Sequence, residues 1–242
     1  MKNILDIKNL SYSFGNNPIL KDINIHVNEN EMVAIVGSSG VGKSTLFNLI
    51  AGVLKIQVGE ITINGSEDYI GKVAYMLQKD LLFEHKTIID NVILPLIIAK
   101  VNKKEALGEG NKILKQFNLD KYANKYPQQL SGGMRQRVAL IRTYMFKRKI
   151  FLLDEAFSAL DAITKKELHK WYLDLKKEFN LTTLLITHDI EEAVFLSDRI
   201  YILGNKPGEI IEEIKIKINP NEDIDVQRLF YKKEILNIMN IE

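Results

Sequence analysis

The chain changes its hydrophobic pattern twice along its length. Residues 3–78 contain apolar stretches of strand length, among them the unbroken run MVAIV at residues 32–36. From about Thr87 to Lys147 the apolar residues recur at helical spacing, and beyond them strand-like and helix-like stretches alternate. Because a β-branched run that ends at a glycine is typical of a buried parallel strand, the pattern predicts an α/β fold with an inserted helical part.

These changes of pattern also suggest boundaries. We expect one domain, with a catalytic core and β-subdomain in residues 1–84 and 148–215 and a helical subdomain in residues 85–147. The stretch 216–242 is expected to form a terminal helix, too short to be a domain. Asn64–Gly65 predicts a tight hairpin turn, because this pair tolerates positive φ at both positions.

Composition excludes several kinds of chemistry. The chain has 242 residues, 46% of them hydrophobic, and no cysteine, so disulfides, thiolate catalysis and cysteine-ligated metals are excluded. The net charge of +2 gives no sign of a nucleic-acid partner. The most apolar run, residues 88–99, is shorter than the roughly 20 residues that span a bilayer, so we expect a cytoplasmic chain that reaches a membrane only through a partner.

The first motif with a chemical meaning is GSSGVGKST, between a predicted strand and a predicted helix. Its glycines let successive amides turn inward, and the helix N-terminus adds partial positive charge, so the loop is predicted to bind a polyphosphate. Lys43 would reach the terminal phosphates, and the Ser44 hydroxyl would ligate Mg²⁺. The candidate nucleotide-binding residues are Gly37, Ser38, Ser39, Gly40, Val41, Gly42, Lys43, Ser44 and Thr45.

The second motif, IFLLDEA, is an apolar strand that ends in two carboxylates. Asp154 is placed to hold a Mg²⁺ shell, and Glu155 is placed to act as a general base toward water. A pair of acidic residues after a strand is also common at the start of a helix. Gln78 and His188 each follow a predicted strand, and each alone is more often structural than catalytic.

The third motif, LSGGMRQR at residues 130–137, is a second glycine-rich helix start. Ser131 with the amides of Gly132 and Gly133 can bind an anion, and Ser131 can equally be an ordinary helix cap. Both can hold, because the same geometry serves both. One ATP, however, needs only one phosphate loop, so the second glycine run needs its own explanation.

In this order and spacing, the phosphate loop, Gln78, LSGG, FLLDE, SALD at residues 158–161 and His188 resemble the ATP-binding cassette (ABC) ATPases over roughly residues 1–210. The resemblance implies a P-loop NTPase core of the RecA-like kind, with an antiparallel β-subdomain and an inserted helical subdomain. It also implies that two such chains, identical or homologous, pair head to tail. Each ATP would then lie between the phosphate loop of one chain and the LSGG of the other, which explains the second glycine run.

The resemblance further implies a role for each candidate residue. Tyr12 would stack on the adenine, unless it is a core aromatic of its strand. Gln78 would touch Mg²⁺ or the attacking water, and His188 would contact the γ-phosphate. Asp161 would cross the dimer interface. The implied catalytic set is Glu155, His188, Gln78 and Lys43, and the implied metal set is Ser44, Gln78 and Asp154.

Longer stretches such as GGMRQRVALIRTY look like the importer branch for nitrate, sulfonate and taurine, which includes transporters of thiamine-pyrimidine precursors. This resemblance implies membrane permease subunits and a separate solute-binding protein as partners, and attachment to the inner face of the membrane. An ABC ATPase of an efflux or lipoprotein system, or one without a transporter, is the alternative. Two departures from the family are Ala156, where many relatives have proline, and the stretch 81–87, whose Glu84 and His85 would face the membrane subunit.

Overall fold

A three-stranded antiparallel sheet forms the N-terminal side of the fold in the computed structural model, which describes residues 2–158 and 160–240. Its central strand, β1 (Asn3–Phe14), pairs with β2 (Asn17–Asn28) on one edge and with β4 (Val58–Ile63) on the other. Strand β3 (Met32–Val36) belongs to a second sheet. The predicted β-subdomain strands therefore lie in one sheet of their own.

The second sheet has six strands in the order β5-β6-β7-β3-β8-β9, and all neighbours are parallel except β8 and β9. The central strands β3, β6 and β7 are buried at every position, which explains their unbroken apolar runs. The strands are β3 (Met32–Val36), β5 (Val73–Met76), β6 (Ile150–Asp154), β7 (Thr182–Thr187), β8 (Arg199–Gly204) and β9 (Glu209–Lys215).

Helices flank this sheet and fill the predicted insertion. Between β5 and β6 lie α2 (Ile88–Ile98), α3 (Lys103–Gln116) and α4 (Gly132–Tyr144). The other helices are α1 (Lys43–Ile50), α5 (Ala162–Phe179), α6 (Ile190–Leu196) and α7 (Ile224–Ile238). Within residues 2–158 and 160–240, every helix is too short or too polar to cross a lipid bilayer.

Two apolar clusters pack on the opposite faces of the six-stranded sheet. Leu153 and Leu185 belong to the cluster that contains α2–α5, whereas Leu152 and Leu184 belong to the cluster under α1 and the antiparallel sheet. Successive strand residues point to opposite faces, so both clusters follow from the same strands. At about 1.5–3 kcal/mol for each fully buried large apolar side chain, this packing fixes the sheet and the strand ends that carry the polar residues.

The predicted turn at Asn64–Gly65 is present, but it does not connect two paired strands. Both residues have positive φ, 52° and 76°, and an isolated bridge closes the turn between Ile63 and Ser66. The following strand, β5, lies at the edge of the other sheet. The prediction of a hairpin is therefore wrong, because the strands before and after the turn, β4 and β5, lie in different sheets. A turn signal in the sequence indicates the local bend and not the sheet that the chain joins next.

Candidate functional site

The phosphate loop runs from the end of β3 to the start of α1, and its glycines are required by close contacts or by positive φ. A Cβ atom at Gly37 would lie 2.3 Å from the Leu203 carbonyl oxygen, and one at Gly42 would lie 2.7 Å from the Leu20 side chain. Gly40 and Gly42 also have positive φ, 77° and 110°. The loop therefore bends as the motif predicts, and its amides precede the N-terminus of α1.

Lys43, at the end of this loop, and Asp154, at the end of β6, are both buried charged residues. The Lys43 ammonium donates hydrogen bonds to the carbonyl oxygens of Gly37 (2.7 Å) and Ser38 (2.8 Å). Burial lowers the pKa of Lys43, and nearby Glu155 and Asp154 oppose that shift. Burial raises the pKa of Asp154, against the hydrogen bonds that it accepts from Tyr75 and Ser44.

Glu155 is the meeting point of three segments. Its Oε2 accepts a hydrogen bond from Gln78 Nε2 at 2.9 Å and lies 3.3 Å from His188 Nδ1. Glu155 has a φ of +47°, an uncommon left-handed conformation, and its amide is held by the Ile186 carbonyl at 2.9 Å. The ends of β5, β6 and β7 therefore bring together three residues that are distant in sequence.

The Ser131–Gly133 stretch, called here the SGG segment, starts α4. Ser131 Oγ accepts a hydrogen bond from the Met134 amide at 3.3 Å, so the capping interpretation of Ser131 is correct. A Cβ atom at Gly133 would lie 2.4 Å from Thr164 Cγ2, which explains why α4 approaches α5 only with glycine there. Asp161 caps α5 by accepting hydrogen bonds from the amides of residues 163 and 164.

Comparison with known proteins identifies the family of the chain. The family model described as ABC transporter matches residues 20–158. The chain belongs to the ABC transporter family. This ABC ATPase is similar to the formylaminopyrimidine import ATP-binding protein ThiZ of Halalkalibacterium halodurans, with 38% identity covering 97% of this chain and 96% of the relative.

Two further comparisons also cover most of the chain. The nitrate import ATP-binding protein NrtD of Synechocystis is 37% identical, covering 93% of this chain and 87% of that protein. A solved structure described as the dimeric, post-hydrolysis state of the ATP-binding cassette MJ0796 with ADP and Pi superposes with a TM-score of 0.74 at 32% identity. The superposition covers 89% of this chain and 100% of the chain in that structure. The predicted family, α/β P-loop fold and ATP-hydrolysing activity are therefore confirmed.

The structure favours the alternative interpretation of Tyr12, a core aromatic of its strand. Tyr12 is 8% exposed and belongs to the core under the antiparallel sheet. Phe14, at the end of β1, is 52% exposed and meets the Tyr12 ring edge-on at 5.0 Å. Phe14 pairs with Asn17 on β2, which continues to Ile19 and Leu20 beside Gly42 of the phosphate loop.

Sequence reasoning also missed the residues that hold the Gln78 loop of this ABC ATPase. Arg135 Nε donates to Asp80 Oδ2 at 2.9 Å, and Arg142 donates to the Leu81 carbonyl at 2.7 Å. Glu84 contributes a longer ion pair with Arg135, at 3.4 Å. Beside them lies a cleft of about 520 Å³, lined by Gln78, Lys79, Asp80, Leu81, Leu82, Glu84, Arg135, Gln136 and Ser158.

Proposed function

We propose that this ABC ATPase is the ATP-hydrolysing subunit of an importer of a small solute, with each ATP bound between two subunits. The observation that carries the proposal is the convergence of Gln78 and His188 on one oxygen of Glu155, next to buried Lys43 and Asp154. A carboxylate held by two polar side chains at the end of a buried strand is suited to act as a general base.

Nucleotide binding is assigned to the loop and to the exposed aromatic nearest to it. The amides of residues 37–45 and the N-terminus of α1 would bind the phosphates, with Lys43 exchanging its carbonyl partners for phosphate oxygens. Phe14 takes the adenine-stacking role in place of Tyr12, because its ring is exposed at the end of the strand pair that borders the loop.

The donor set beside Lys43 fits Mg²⁺. Ser44 supplies a hydroxyl, Asp154 a carboxylate and Gln78 an amide oxygen. A small number of oxygen donors suits Mg²⁺, because this ion usually keeps several water and phosphate ligands. When bound, Mg²⁺ would neutralise charge on the terminal phosphates. Tyr75 holds Asp154 by a hydrogen bond of 3.2 Å, which orients its carboxylate.

The protons and charges of hydrolysis are assigned to Glu155 and His188. Glu155 would accept a proton from the attacking water, while Gln78 keeps its carboxylate oriented through the 2.9 Å contact. The exposed ring of His188 would contact the γ-phosphate and assist in orienting Glu155. Glu155 follows β6 directly with a left-handed backbone, a conformation that is found more often at functional sites than elsewhere.

The SGG segment is assigned to the ATP of the partner subunit. Ser131 is engaged with its own helix α4, and helix N-termini attract phosphate through their amides and dipole. Ser131, Gly132 and Gly133 would close on the opposite nucleotide, and Asp161 would cross the interface. A twofold dimer, of two copies or of this chain and a homologous subunit, then contains two such sites.

Relatives named for the import of formylaminopyrimidine and of nitrate support the importer function and two kinds of partner, membrane permeases and a solute-binding protein. The chain would lie on the inner face of the membrane, attached through the permease. We assign to the permease the surface formed by the cleft that Gln78 and exposed Leu81 line, together with exposed Phe83. We also propose the division into a core with β-subdomain (1–84 and 148–215), a helical subdomain (85–147) and a terminal helix.

The test compares wild type with Glu155→Gln in Mg-ATP, with hydrolysis and oligomeric state measured together. The variant is expected to lose at least about a hundredfold in hydrolysis, because the amide cannot accept the proton. It should still bind ATP and accumulate as a dimer. Glu105→Gln, an exposed residue on α3, is the matched control and should behave as wild type. Undiminished hydrolysis by Glu155→Gln would refute the assignment of the base.

A further inference from the structure

Helices α5 and α6 are joined by an ion pair and by a buried hydrogen bond, and no step above uses either of them. Lys165 Nζ lies 2.9 Å from Asp189 Oδ2, and His169 Nε2 lies 2.9 Å from Glu192 Oε1. Lys165 and His169 are one turn apart on α5, and their partners are one turn apart at the start of α6. We call these four residues the α5–α6 clamp.

The first pair acts on the residue that caps α6. Asp189 Oδ1 accepts the amide of Glu192 at 3.1 Å, while Oδ2 receives Lys165, so both carboxylate oxygens are engaged. Burial alone would raise the pKa of Asp189, but the hydrogen bonds from Lys165 and from the α6 amides lower it. Lys165 therefore stabilises the ionised cap, and the residue immediately before that cap is His188.

The second pair is buried and reaches the segment after Glu155. His169 and Glu192 are 4% and 3% exposed, so either one without its partner would leave an unpaired polar group in the core. The ring of Phe157, two residues beyond Glu155, packs edge-on against the His169 ring with centroids 4.9 Å apart. The α5 helix thus contacts both chain segments that carry the proposed catalytic groups.

We propose that Lys165 and His169 are positioning residues, which keep His188 within reach of Glu155 by holding the first turn of α6 against α5. The His188 side chain is 60% exposed, so packing around its own ring does little to fix it. Its place depends on the backbone that enters α6, and that backbone is held by the clamp. This inference rests on the roles proposed above for Glu155 and His188.

The test measures kcat and KM for ATP in Lys165→Met and His169→Leu, with Lys166→Met as the matched control on the exposed side of α5. Displacing His188 by a fraction of an ångström is expected to lower kcat about tenfold with little change in KM. Lys165→Arg and His169→Gln keep a donor and should retain most of the wild-type kcat. The control should equal wild type.

A double-mutant cycle separates positioning from general structural support. If the clamp acts through His188, Lys165→Met combined with His188→Ala will be no slower than His188→Ala alone. If the double variant is folded and its loss of kcat equals the product of the two single losses, the proposal is overturned. A wild-type kcat in Lys165→Met would overturn it as well. The Lys165–Asp189 pair is partly exposed, so Lys165→Met is expected to fold. It therefore decides the question even if His169→Leu fails to fold. An unaffected His188→Ala would instead refute the role proposed for His188 itself, and the clamp with it.

Discussion

The phosphate-loop face and the SGG segment are built in opposite ways. The face comprises residues 37–45 with Gln78, Asp154, Glu155 and His188. Lys43 donates hydrogen bonds to carbonyl oxygens of its own loop, and side chains from different strand ends contact one another. In the part of the chain that the structure describes, Ser131 of the SGG segment bonds only to its own helix. One region is therefore a network of side chains from several segments, and the other is a capped helix end.

This difference explains how two glycine-rich motifs serve one chemistry. The phosphate-loop face has a lysine, two carboxylates and loop amides on one chain, and these would bind phosphate, hold a metal and accept a proton. The SGG segment has amides and a helix dipole but neither a carboxylate nor a lysine. It is suited to recognise a phosphate that is already bound elsewhere, and head-to-tail pairing would bring one to it.

Asp154→Asn removes the buried charge from the phosphate-loop face and has the largest expected effect. Hydrolysis should fall by at least about a hundredfold, because the amide is a poor ligand for Mg²⁺. Without nucleotide, however, the variant should unfold a few degrees higher than wild type at neutral pH, because burial disfavours the Asp154 carboxylate. ATPase assays and thermal unfolding check the two statements.

The pH dependence of the higher unfolding temperature of Asp154→Asn tests whether burial of the Asp154 charge is its cause. Burial raises the pKa of Asp154, so the folded state binds a proton more tightly than the unfolded chain does. The destabilisation by the ionised carboxylate is thus present at neutral pH and disappears as the pH falls through the raised pKa. The advantage of Asp154→Asn should shrink over that range, and a gain independent of pH would contradict the explanation.

Phe14→Ala sharpens the adenine assignment on the same side of the site. Loss of a stacking ring should raise KM for ATP about tenfold, with little change in kcat, because base–aromatic stacking is worth about 1–3 kcal/mol. The thermal midpoint should hardly move, since the ring is largely exposed. Tyr12→Ala should do the reverse, destabilising the protein by about 3 kcal/mol through a core cavity. If Tyr12→Leu raises KM for ATP and Phe14→Leu leaves it unchanged, the adenine-stacking role belongs to Tyr12 and not to Phe14.

The SGG segment offers a smaller, purely steric prediction. Gly133→Ala should destabilise the protein by about 1–3 kcal/mol, because its Cβ would lie 2.4 Å from Thr164 Cγ2. Adding Thr164→Ser removes that methyl group and should recover most of the loss in a urea titration. Gly132→Ala, whose Cβ would meet only Leu160 at 3.6 Å, is the matched control. Equal destabilisation by both alanines would show that the contact with α5 is not the cause.

The sequence predicted the parts of the site that depend on order along the chain. Strand ends at Val36 and Asp154 followed from buried runs, and the neighbouring motifs therefore fell on one sheet edge. The burial of Tyr12 did not follow from the sequence pattern, because β1 has an irregular register around Asn9, whose φ is +49°. After that irregularity the buried positions change from odd to even numbers, which alternation alone does not reveal.

Contacts between distant segments were beyond a single sequence. Tyr75 and Asp154 are 79 residues apart, and His169 and Glu192 are 23 apart, so only the packed sheet and helices bring them together. Their residue types carry no signal of their own, since a tyrosine in a strand or a histidine in a helix is ordinary. The strained φ at Glu155 was equally invisible, because it results from the surrounding contacts and not from local preference.

The most direct test of the central claim, that one ATP site is formed by two chains, mixes two inactive variants. Lys43→Ala inactivates the phosphate-loop face, and Gly132→Asp places a carboxylate at the start of α4, where the structure has room for a side chain. Each variant alone should hydrolyse almost no ATP. Their mixed dimer retains one site with an intact phosphate loop from one chain and an intact SGG segment from the other.

With random pairing of equal amounts, half of the dimers are mixed, and the account predicts recovery to about a quarter of the wild-type rate. Differently tagged copies allow the mixed dimer to be isolated and its hydrolysis measured by itself. Hydrolysis by that mixed dimer would place the SGG segment on the partner's nucleotide. An isolated mixed dimer that hydrolyses no more ATP than either variant would contradict the account.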